Sequence, residues 1–113
     1  MDKITLNFPF VINDENITEI SYDYADFKTE DYLNALARKK GADMTTMLNP
    51  ANDYALHFAL GVGIILASNR GKGWTAEDFG RLVGSDIWQV TQVGLVFFGA
   101  KPAAPQENSS DGQ

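Results

Sequence analysis

The sequence predicts an α+β fold, in which an N-terminal β-hairpin packs on a bundle of about four helices around a central apolar helix. Apolar and polar side chains alternate over Lys3–Phe10 and Ile17–Tyr24, with the period of half-buried strands. Between Tyr54 and Asn69 there is no charged residue, and apolar side chains occupy almost every angular position. A helix of that composition must be buried on all sides.

The polar cluster Asn13–Asn16 separates the two strands and is typical of a turn. Pro9 favours an end or an edge of the sheet. An isolated hairpin is marginal in water, so we expect its apolar face to lie on the central helix. The side chains predicted for that face are Ile4, Leu6, Phe8, Phe10, Ile20, Tyr22 and Tyr24.

A helix is predicted after the hairpin. Thr29 is its expected cap, Glu30 and Asp31 lie in its first turn, and Gly41 ends it after a basic last turn. Its apolar stripe would be Tyr32, Leu33, Leu36 and Ala37. The following segment, Ala42–Leu48, is expected to be an irregular turn against the core.

The central helix is predicted to begin with Asn49 as cap and Pro50 at its first position, and to end at Gly71. Its uncharged run is shorter than the roughly 20 apolar residues needed to cross a bilayer. Gly61 and Gly63 each cost roughly 1 kcal/mol relative to Ala inside a helix. Another backbone is therefore expected close to this face.

Two further helices complete the predicted domain, residues 1–100. Thr75 begins a short helix that Gly84 ends, and Ser85 caps a last helix running from Asp86 to about Phe98. Residues 101–113 are small, polar and proline-bearing, and we expect them to form a disordered tail. Such a tail is either a linker to a second module or an ordinary frayed terminus.

Composition excludes several classes of function. The chain has 113 residues and no cysteine, so disulfides and thiolate metal sites are absent. Nine basic and 15 acidic residues give a net charge of −6, which argues against a nucleic-acid-binding surface. The opening residues alternate as a strand, and no signal peptide or membrane partner is expected.

No metal or phosphate motif is complete. Asp14–Thr18 has oxygen-bearing side chains at alternate positions but lacks the glycine and the distal glutamate of a calcium loop. Gly71–Gly73 follows a helix rather than a strand, which favours a helix stop over a phosphate loop. We expect no metal and no cofactor.

No catalytic arrangement emerges either. His57 is the only histidine and is expected to be a core or boundary residue. The carboxylate pairs Glu30/Asp31 and Glu77/Asp78 lie in first turns of predicted helices, where they stabilise the macrodipole. An enzyme is therefore the weaker hypothesis, and the prediction is a protein without catalytic residues.

The order and type of these elements resemble a known family. Ile17–Tyr24 (ITEISYDY) followed by Lys28–Ala35 (KTEDYLNA) resembles the opening of tail assembly chaperones of long-tailed bacteriophages. Those proteins often carry an ITELTLDF strand and a TGxDL helix start. The apolar central helix, the Thr75–Phe79 turn (TAEDF), Asp86 and the Phe97–Phe98 pair extend the likeness over about residues 1 to 100. Lys28–Glu30 departs from the usual Thr-Gly, which puts the position of the helix start in question.

The resemblance implies an interaction protein of the host cytoplasm that is absent from the finished virion. Such chaperones bind the tape measure protein, keep it soluble and help to recruit tail-tube subunits. In many phages a frameshift gives a longer form, and residues 101–113 would suit the linker of such a form.

Large apolar residues near the end of the chain are the candidate partner-binding residues. These residues would form a patch or groove that binds the apolar stripe of a helix. The bound helix would belong to the tape measure protein or, in a homo-oligomer, to a second copy of the chain. The alternative for each is plain core packing. The candidates are Trp74, Trp88, Val96, Phe97 and Phe98.

Two other functions stay open at this point. The chain could be a structural tail or connector component, which would be found in purified virions. It could also be a small ligand-binding α+β domain, which requires a cleft with converging polar groups.

Overall fold

The computed structural model describes residues 2–38 and 54–99 and confirms the α+β fold with its N-terminal antiparallel hairpin. The strands are β1 Asp2–Thr5, β2 Val11–Ile12, β3 Glu15–Asn16 and β4 Glu19–Tyr22. The α-helices are α1 Thr29–Arg38, α2 Tyr54–Ser68 and α3 Ser85–Gly99, and short 3-10 segments cover Tyr24–Asp26, Arg70–Lys72 and Ala76–Arg81.

Some predictions fall outside the described residues. These are the turn Ala42–Leu48, the Gly41 stop, the Asn49 and Pro50 start of the central helix and the tail 101–113. The side chain of Phe98 also lies outside the described part of the chain, although its backbone belongs to α3.

The hairpin turns at Asn13 and Asp14. Their φ angles of 52° and 65° are left-handed, which asparagine and aspartate tolerate better than other side chains. The flanking strands β2 and β3 pair antiparallel, with Val11 opposite Asn16. The predicted turn is therefore confirmed, although it is tighter than the four-residue polar cluster.

The hairpin is interrupted at Asn7–Pro9, between β1 and β2. Ile4 and Phe10 are buried as predicted, but Phe8 is 43% exposed, so its predicted place on the apolar face is wrong. The physical reason is that Asn7 and Phe8 donate their backbone N–H groups to the carboxylate of Asp86 on α3 instead of continuing the strand ladder. Pro9 lies in this interruption, where no backbone N–H is needed for strand pairing and the one that proline lacks is not missed.

Helix α2 is the buried centre of the molecule, as predicted. His57 is fully buried among the apolar side chains, which confirms its prediction as a core residue. The buried residues of α2 are Leu56, His57, Leu60, Gly61, Val62, Gly63, Ile64, Ile65 and Ala67.

Glycines let α2 and α3 approach each other closely. A Cβ on Gly61 would overlap the carbonyl oxygen of Val90, and one on Gly94 would overlap the carbonyl oxygen of His57. The backbone expected beside Gly61 is therefore that of α3. Gly63 instead faces side chains, because a Cβ there would lie 3.0 Å from the Cβ of Ala35 on α1.

Helix α1 is shifted and rotated relative to the prediction. Thr29 is its first helical residue rather than its cap, and Lys28 donates its N–H to the Asp31 carboxylate at 3.0 Å. Ala35 is fully buried, whereas Leu33 is 57% exposed. Ala35 faces Gly63 of α2, and this orientation turns Leu33 outward. The predicted apolar stripe is therefore wrong for Leu33 and Ala37, which are both exposed.

The short helix predicted after Thr75 is present as the 3-10 segment Ala76–Arg81. Thr75 and Asp78 form a capping box, in which each side chain binds the other residue's backbone N–H. Gly84 follows with a φ of 60°, in the left-handed region that glycine adopts readily. The ring of Phe8 lies over Gly84 where a side chain would otherwise project.

None of the helices within residues 2–38 and 54–99 combines the length and hydropathy required to cross a membrane.

Candidate functional site

Helix α3 carries four of the five predicted partner-binding residues, but it presents them on different sides. Trp88 and Phe97 are about two and a half turns apart, which places them on opposite faces of an α-helix. The one ionisable side chain of α3 is Asp86, which is buried at 1% exposure. The exposed surface of α3 is therefore uncharged.

The first surface is formed by Tyr54 at the start of α2 and Trp88 on α3, and we call it the Trp88 face. The Trp88 side chain is 46% exposed, and its ring centroid lies 5.8 Å from that of Tyr54, which is 55% exposed. Tyr54 also stacks edge-on against the buried ring of His57, which anchors this pair to the core.

The second surface surrounds Phe97. This ring lies edge-on to Phe27 with centroids 5.3 Å apart, and it packs against Tyr32 at 6.0 Å and Tyr24 at 6.4 Å. A cavity of about 320 Å³ opens beside these rings, next to Lys28 and Thr29 at the start of α1. Phe97 thus joins α3 to α1 and is only partly buried.

The third surface contains Val96, which is 51% exposed. Val96 lies beside a cleft of about 220 Å³ between α3 and the hairpin. The residues that line it with Val96 include Lys3, Ile4, Tyr22, Gln89 and Val93.

Trp74 belongs to the core rather than to an exposed surface. Its side chain is 9% exposed and packs on Phe79, with ring centroids 6.0 Å apart. The ammonium of Lys72 lies 4.9 Å from the Trp74 ring centroid and covers its outer side. For Trp74 the structure thus shows core packing, the alternative given for each candidate, whereas Trp88, Val96 and Phe97 lie on different sides of α3.

Asp86 fixes the position of α3 against the hairpin. Its carboxylate accepts the backbone N–H groups of Asn7 at 2.9 Å and Phe8 at 3.0 Å, and the side-chain amide of Gln89 at 2.9 Å. Sequence reasoning placed Asp86 at the helix start but not in this contact, since nothing local signals a partner near the other end of the chain.

Two carboxylates considered for acid–base work have structural partners instead. Arg70 binds Asp31 at 2.6 Å, and this hydrogen bond lowers the pKa of that carboxyl. The pKa of Asp78 is also lowered, chiefly because it accepts the backbone N–H of Thr75. Within residues 2–38 and 54–99, no three His, Cys, Asp or Glu side chains are arranged to hold a metal ion.

Tyr24 connects the end of the hairpin to α3. Its hydroxyl donates to the carbonyl oxygen of Val93 at 2.8 Å. Burial, followed by the nearby Tyr22 and Asp2, raises the pKa of Tyr24 to about 12. The group therefore stays protonated and acts as a hydrogen-bond donor at neutral pH.

Sequence reasoning missed Tyr54 as a member of the Trp88 face. Tyr54 opens the uncharged run and is predicted to lie in the helix core, whereas its contact with Trp88 comes from tertiary packing.

Comparisons with protein-family models, with curated proteins and with solved structures find no match for this chain.

Proposed function

We propose that this chain is a tail assembly chaperone of a long-tailed bacteriophage. In this role it binds the tape measure protein in the host cytoplasm, keeps it soluble and helps to recruit tail-tube subunits. It leaves before the virion is complete. The proposal starts from the sequence pattern of the hairpin, α1 and Thr75–Phe79, and the Trp88 face is the structural observation that supports it.

The Trp88 face has the chemistry needed to hold an apolar stripe of a helical client. Tyr and Trp bury large areas while losing few rotatable bonds, and both are enriched at the centres of protein interfaces. Trp88 and Tyr54 are about half exposed and already contact each other. Binding a client would bury their remaining apolar surface without ordering a new segment.

The absence of charge on the exposed side of α3 supports the same role. The chain as a whole carries a net charge of −6, yet Ser85–Gly99 contributes only the buried Asp86. Laying an apolar helix on this surface would therefore desolvate no charged side chain of α3, and desolvating such a side chain is costly. The role requires binding rather than catalysis.

The test is co-expression with the tape measure protein of the same genome, to be sought as a very long helical reading frame downstream of this gene. With the wild-type chain, the client should stay in the soluble fraction and co-purify. Trp88→Glu should reduce the recovered complex by about tenfold, because a charge would be buried against the client. Leu33→Glu on α1 is the control, since Leu33 is also exposed, at 57%, and lies outside the Trp88 face.

Equal loss in both variants would contradict the assignment of the surface, provided that circular dichroism shows both to be folded. A client that stays soluble without the chain would contradict the function. Mass spectrometry of purified virions gives a separate answer, since stoichiometric amounts of the chain in particles would make it a structural tail component.

A further inference from the structure

Three aromatic rings line the cavity beside Phe97, at the point where α1 and α3 meet. Phe27 precedes α1, Tyr32 lies in its first turn, and Phe97 lies near the end of α3. Their ring centroids are 5.3 to 6.4 Å apart, so each ring contacts the other two. The cavity volume of about 320 Å³ is roughly ten times the volume of one molecule in liquid water. The cavity therefore has room for the side chains of a bound segment.

A proline motif follows the end of α3 in the sequence. Helix α3 ends at Gly99, two residues after Phe97, and the sequence continues as AKPAAP, with Pro102 and Pro105 three positions apart. In the polyproline II conformation, which has three residues per turn, the two proline rings lie on the same side and about 9 Å apart. Segments with this PxxP spacing dock on aromatic-lined grooves, and their preformed conformation lowers the entropy lost on binding.

Pro102 cannot lie far from the cavity. The three residues from Gly99 to Pro102 span at most about 11 Å, even when fully extended. Nothing lies within 4 Å of the Cβ position of Gly99, so there is space for the chain to turn where it leaves α3. A proline also disfavours helical backbone at the residue before it, here Lys101. The position at which α3 ends therefore selects this segment as the occupant.

We propose that Pro102–Pro105 bind in the cavity of the same chain, with a proline ring against Phe97 and Tyr32. A short linker holds a tethered ligand at an effective concentration on the order of 1 mM. With an intrinsic dissociation constant of about 0.1 mM, the bound segment would exceed the free one about tenfold. This assignment goes beyond the chaperone function and does not depend on it.

Charge and position favour this segment over other occupants. Around the start of α1 three carboxylates face two cations, so strongly charged segments gain little there, whereas Pro102–Pro105 is uncharged. These groups belong to Asp26, Glu30, Asp31, Lys28 and Arg70. The chain that follows α1 leaves it at the opposite end, about 14 Å along the helix axis. The motif of a second copy would have to displace one that is tethered at millimolar concentration.

The test is the mobility of Ala104 in the full chain, measured by ¹⁵N relaxation. In the wild type its backbone order parameter should be about 0.8, close to that of a rigid backbone. Pro102→Ala/Pro105→Ala should lower it below about 0.6, because both proline rings and the preformed conformation are lost. Ser109→Ala/Ser110→Ala is the control and should leave it unchanged. All four substitutions lie beyond α3 and alter no residue of its packing.

Matched tyrosine variants test the position of the binding site. Tyr32→Leu keeps an apolar side chain in the cavity lining but removes the ring, and it should make Ala104 as mobile as in the proline variant. Tyr54→Leu makes the same change on the Trp88 face and should not alter the mobility of Ala104. Nuclear Overhauser effects between proline ring protons and the Phe97 ring should be present in the wild type and absent in Tyr32→Leu.

A free peptide of sequence KPAAPQ gives a competition test. It should bind full-length Pro102→Ala/Pro105→Ala with a dissociation constant of about 0.1 mM. It should bind the wild type about tenfold more weakly, because the cavity is already filled in most molecules. The shift of the Phe97 ring resonances measures binding in both chains.

Four outcomes would overturn the proposal. One is an Ala104 amide that is as mobile in the wild type as in the proline variant. Another is an order parameter that falls on dilution, which would assign the cavity to the motif of a second copy. Equal binding of the peptide to both chains, or to neither, would show that the tethered segment does not occupy the cavity. Equal effects of Tyr32→Leu and Tyr54→Leu would place the segment elsewhere.

Discussion

Helix α3 is held by two contacts of opposite character. Against α2 it packs backbone to backbone, with Gly61 under the Val90 carbonyl and Gly94 under the His57 carbonyl. Against the hairpin it is held by polar side chains that reach backbone groups, chiefly Asp86 to Asn7 and Phe8 and the Tyr24 hydroxyl to Val93. The contact with α2 requires that Gly61 and Gly94 have no side chain. The contact with the hairpin requires polar side-chain atoms that form hydrogen bonds.

This difference predicts two kinds of failure. An added methyl group between α2 and α3 has no space to occupy, so the helices must separate and expose apolar surface. Removing a polar group at the hairpin leaves its partly buried partners without their hydrogen bonds, which costs free energy. Of the four predictions below, given from the largest expected effect to the smallest, the first three test this contrast and the fourth compares it with a contact away from α3.

The largest effect is expected for Gly94→Ala at the α2–α3 contact. The new Cβ would overlap the carbonyl oxygen of His57, so we expect a loss of about 3 kcal/mol in the free energy of unfolding, measured in urea. Gly71→Ala is the control, because nothing lies within 4 Å of its Cβ position, and it should change stability by less than about 1 kcal/mol. Equal stability of the two variants would refute the close approach.

The second effect concerns Asp86→Ala at the hairpin contact. It leaves the N–H groups of Asn7 and Phe8 without their acceptor and should cost about 2 kcal/mol. Hydrogen exchange of these two amides should accelerate more than that of amides in α2. The control Glu77→Ala removes an exposed first-turn carboxylate and should cost about 0.5 kcal/mol or less. An Asp86→Ala loss no larger than this would mean that the carboxylate is not the anchor of the hairpin.

The third effect concerns the Tyr24 hydroxyl. Tyr24→Phe should cost about 1 kcal/mol at pH 7, because the bond to the Val93 carbonyl is lost. Burial raises the pKa of Tyr24 in the folded chain to about 12, from an ordinary value of 10.0. Its contribution is fully present below pH 10 and is lost as the pH rises towards 12, so wild-type stability should fall across that window.

In Tyr24→Phe this alkaline fall should be shallower, although not absent, because burial also raises the pKa of Tyr22. Urea unfolding at several pH values between 8 and 12 gives the comparison. Identical profiles for wild type and variant would show that Tyr24 ionises as easily in the folded chain as in the unfolded one.

The smallest effect is expected away from α3, at the Arg70–Asp31 pair between α1 and the end of α2. The Arg70 hydrogen bond lowers the pKa of Asp31 below its ordinary 3.8. Its stabilisation is present above that value and is lost as the pH falls through the lowered pKa, so Arg70→Met should flatten the acid limb of the stability profile.

The exposed position of Arg70 limits the effect at neutral pH, where only a small fall in the urea midpoint is expected. A double-mutant cycle with Asp31→Asn isolates the pair. Additive effects of the two substitutions would show that the ion pair contributes nothing beyond its separate residues.

The sequence predicted those parts of the fold that local chemistry determines. The uncharged run identified α2, the polar cluster Asn13–Asn16 identified the turn, and Thr75–Asp78 identified the start of the short helix that forms as a 3-10 segment. Gly61 predicted a close backbone, because its cost in a helix requires compensation. For the uncharged run, the turn and the capped segment, the signal and its structural effect lie within a few residues of each other, whereas Gly61 predicted a close backbone without identifying it as that of α3.

Contacts between distant residues could not be predicted in the same way. Phe8 follows the strand alternation, but Asp86 draws its N–H away and the ring turns towards Gly84. The candidate site shows the same limit. Trp88 and Phe97 were correctly assigned to one helix, yet helical geometry places them on opposite faces and only tertiary structure shows which neighbours they meet.

The bond between Asn7 and Asp86 spans 79 residues. Closing a loop of that length is entropically costly, and the bond forms only after both of its ends exist. On a polypeptide still being translated, the hairpin therefore lacks this bond until the ribosome has made α3, and only contacts with earlier residues, such as the Asn69 side-chain amide bound to the Ser21 carbonyl, can hold it. Until then the side of α2 at Gly61, which packs on α3, stays exposed to water.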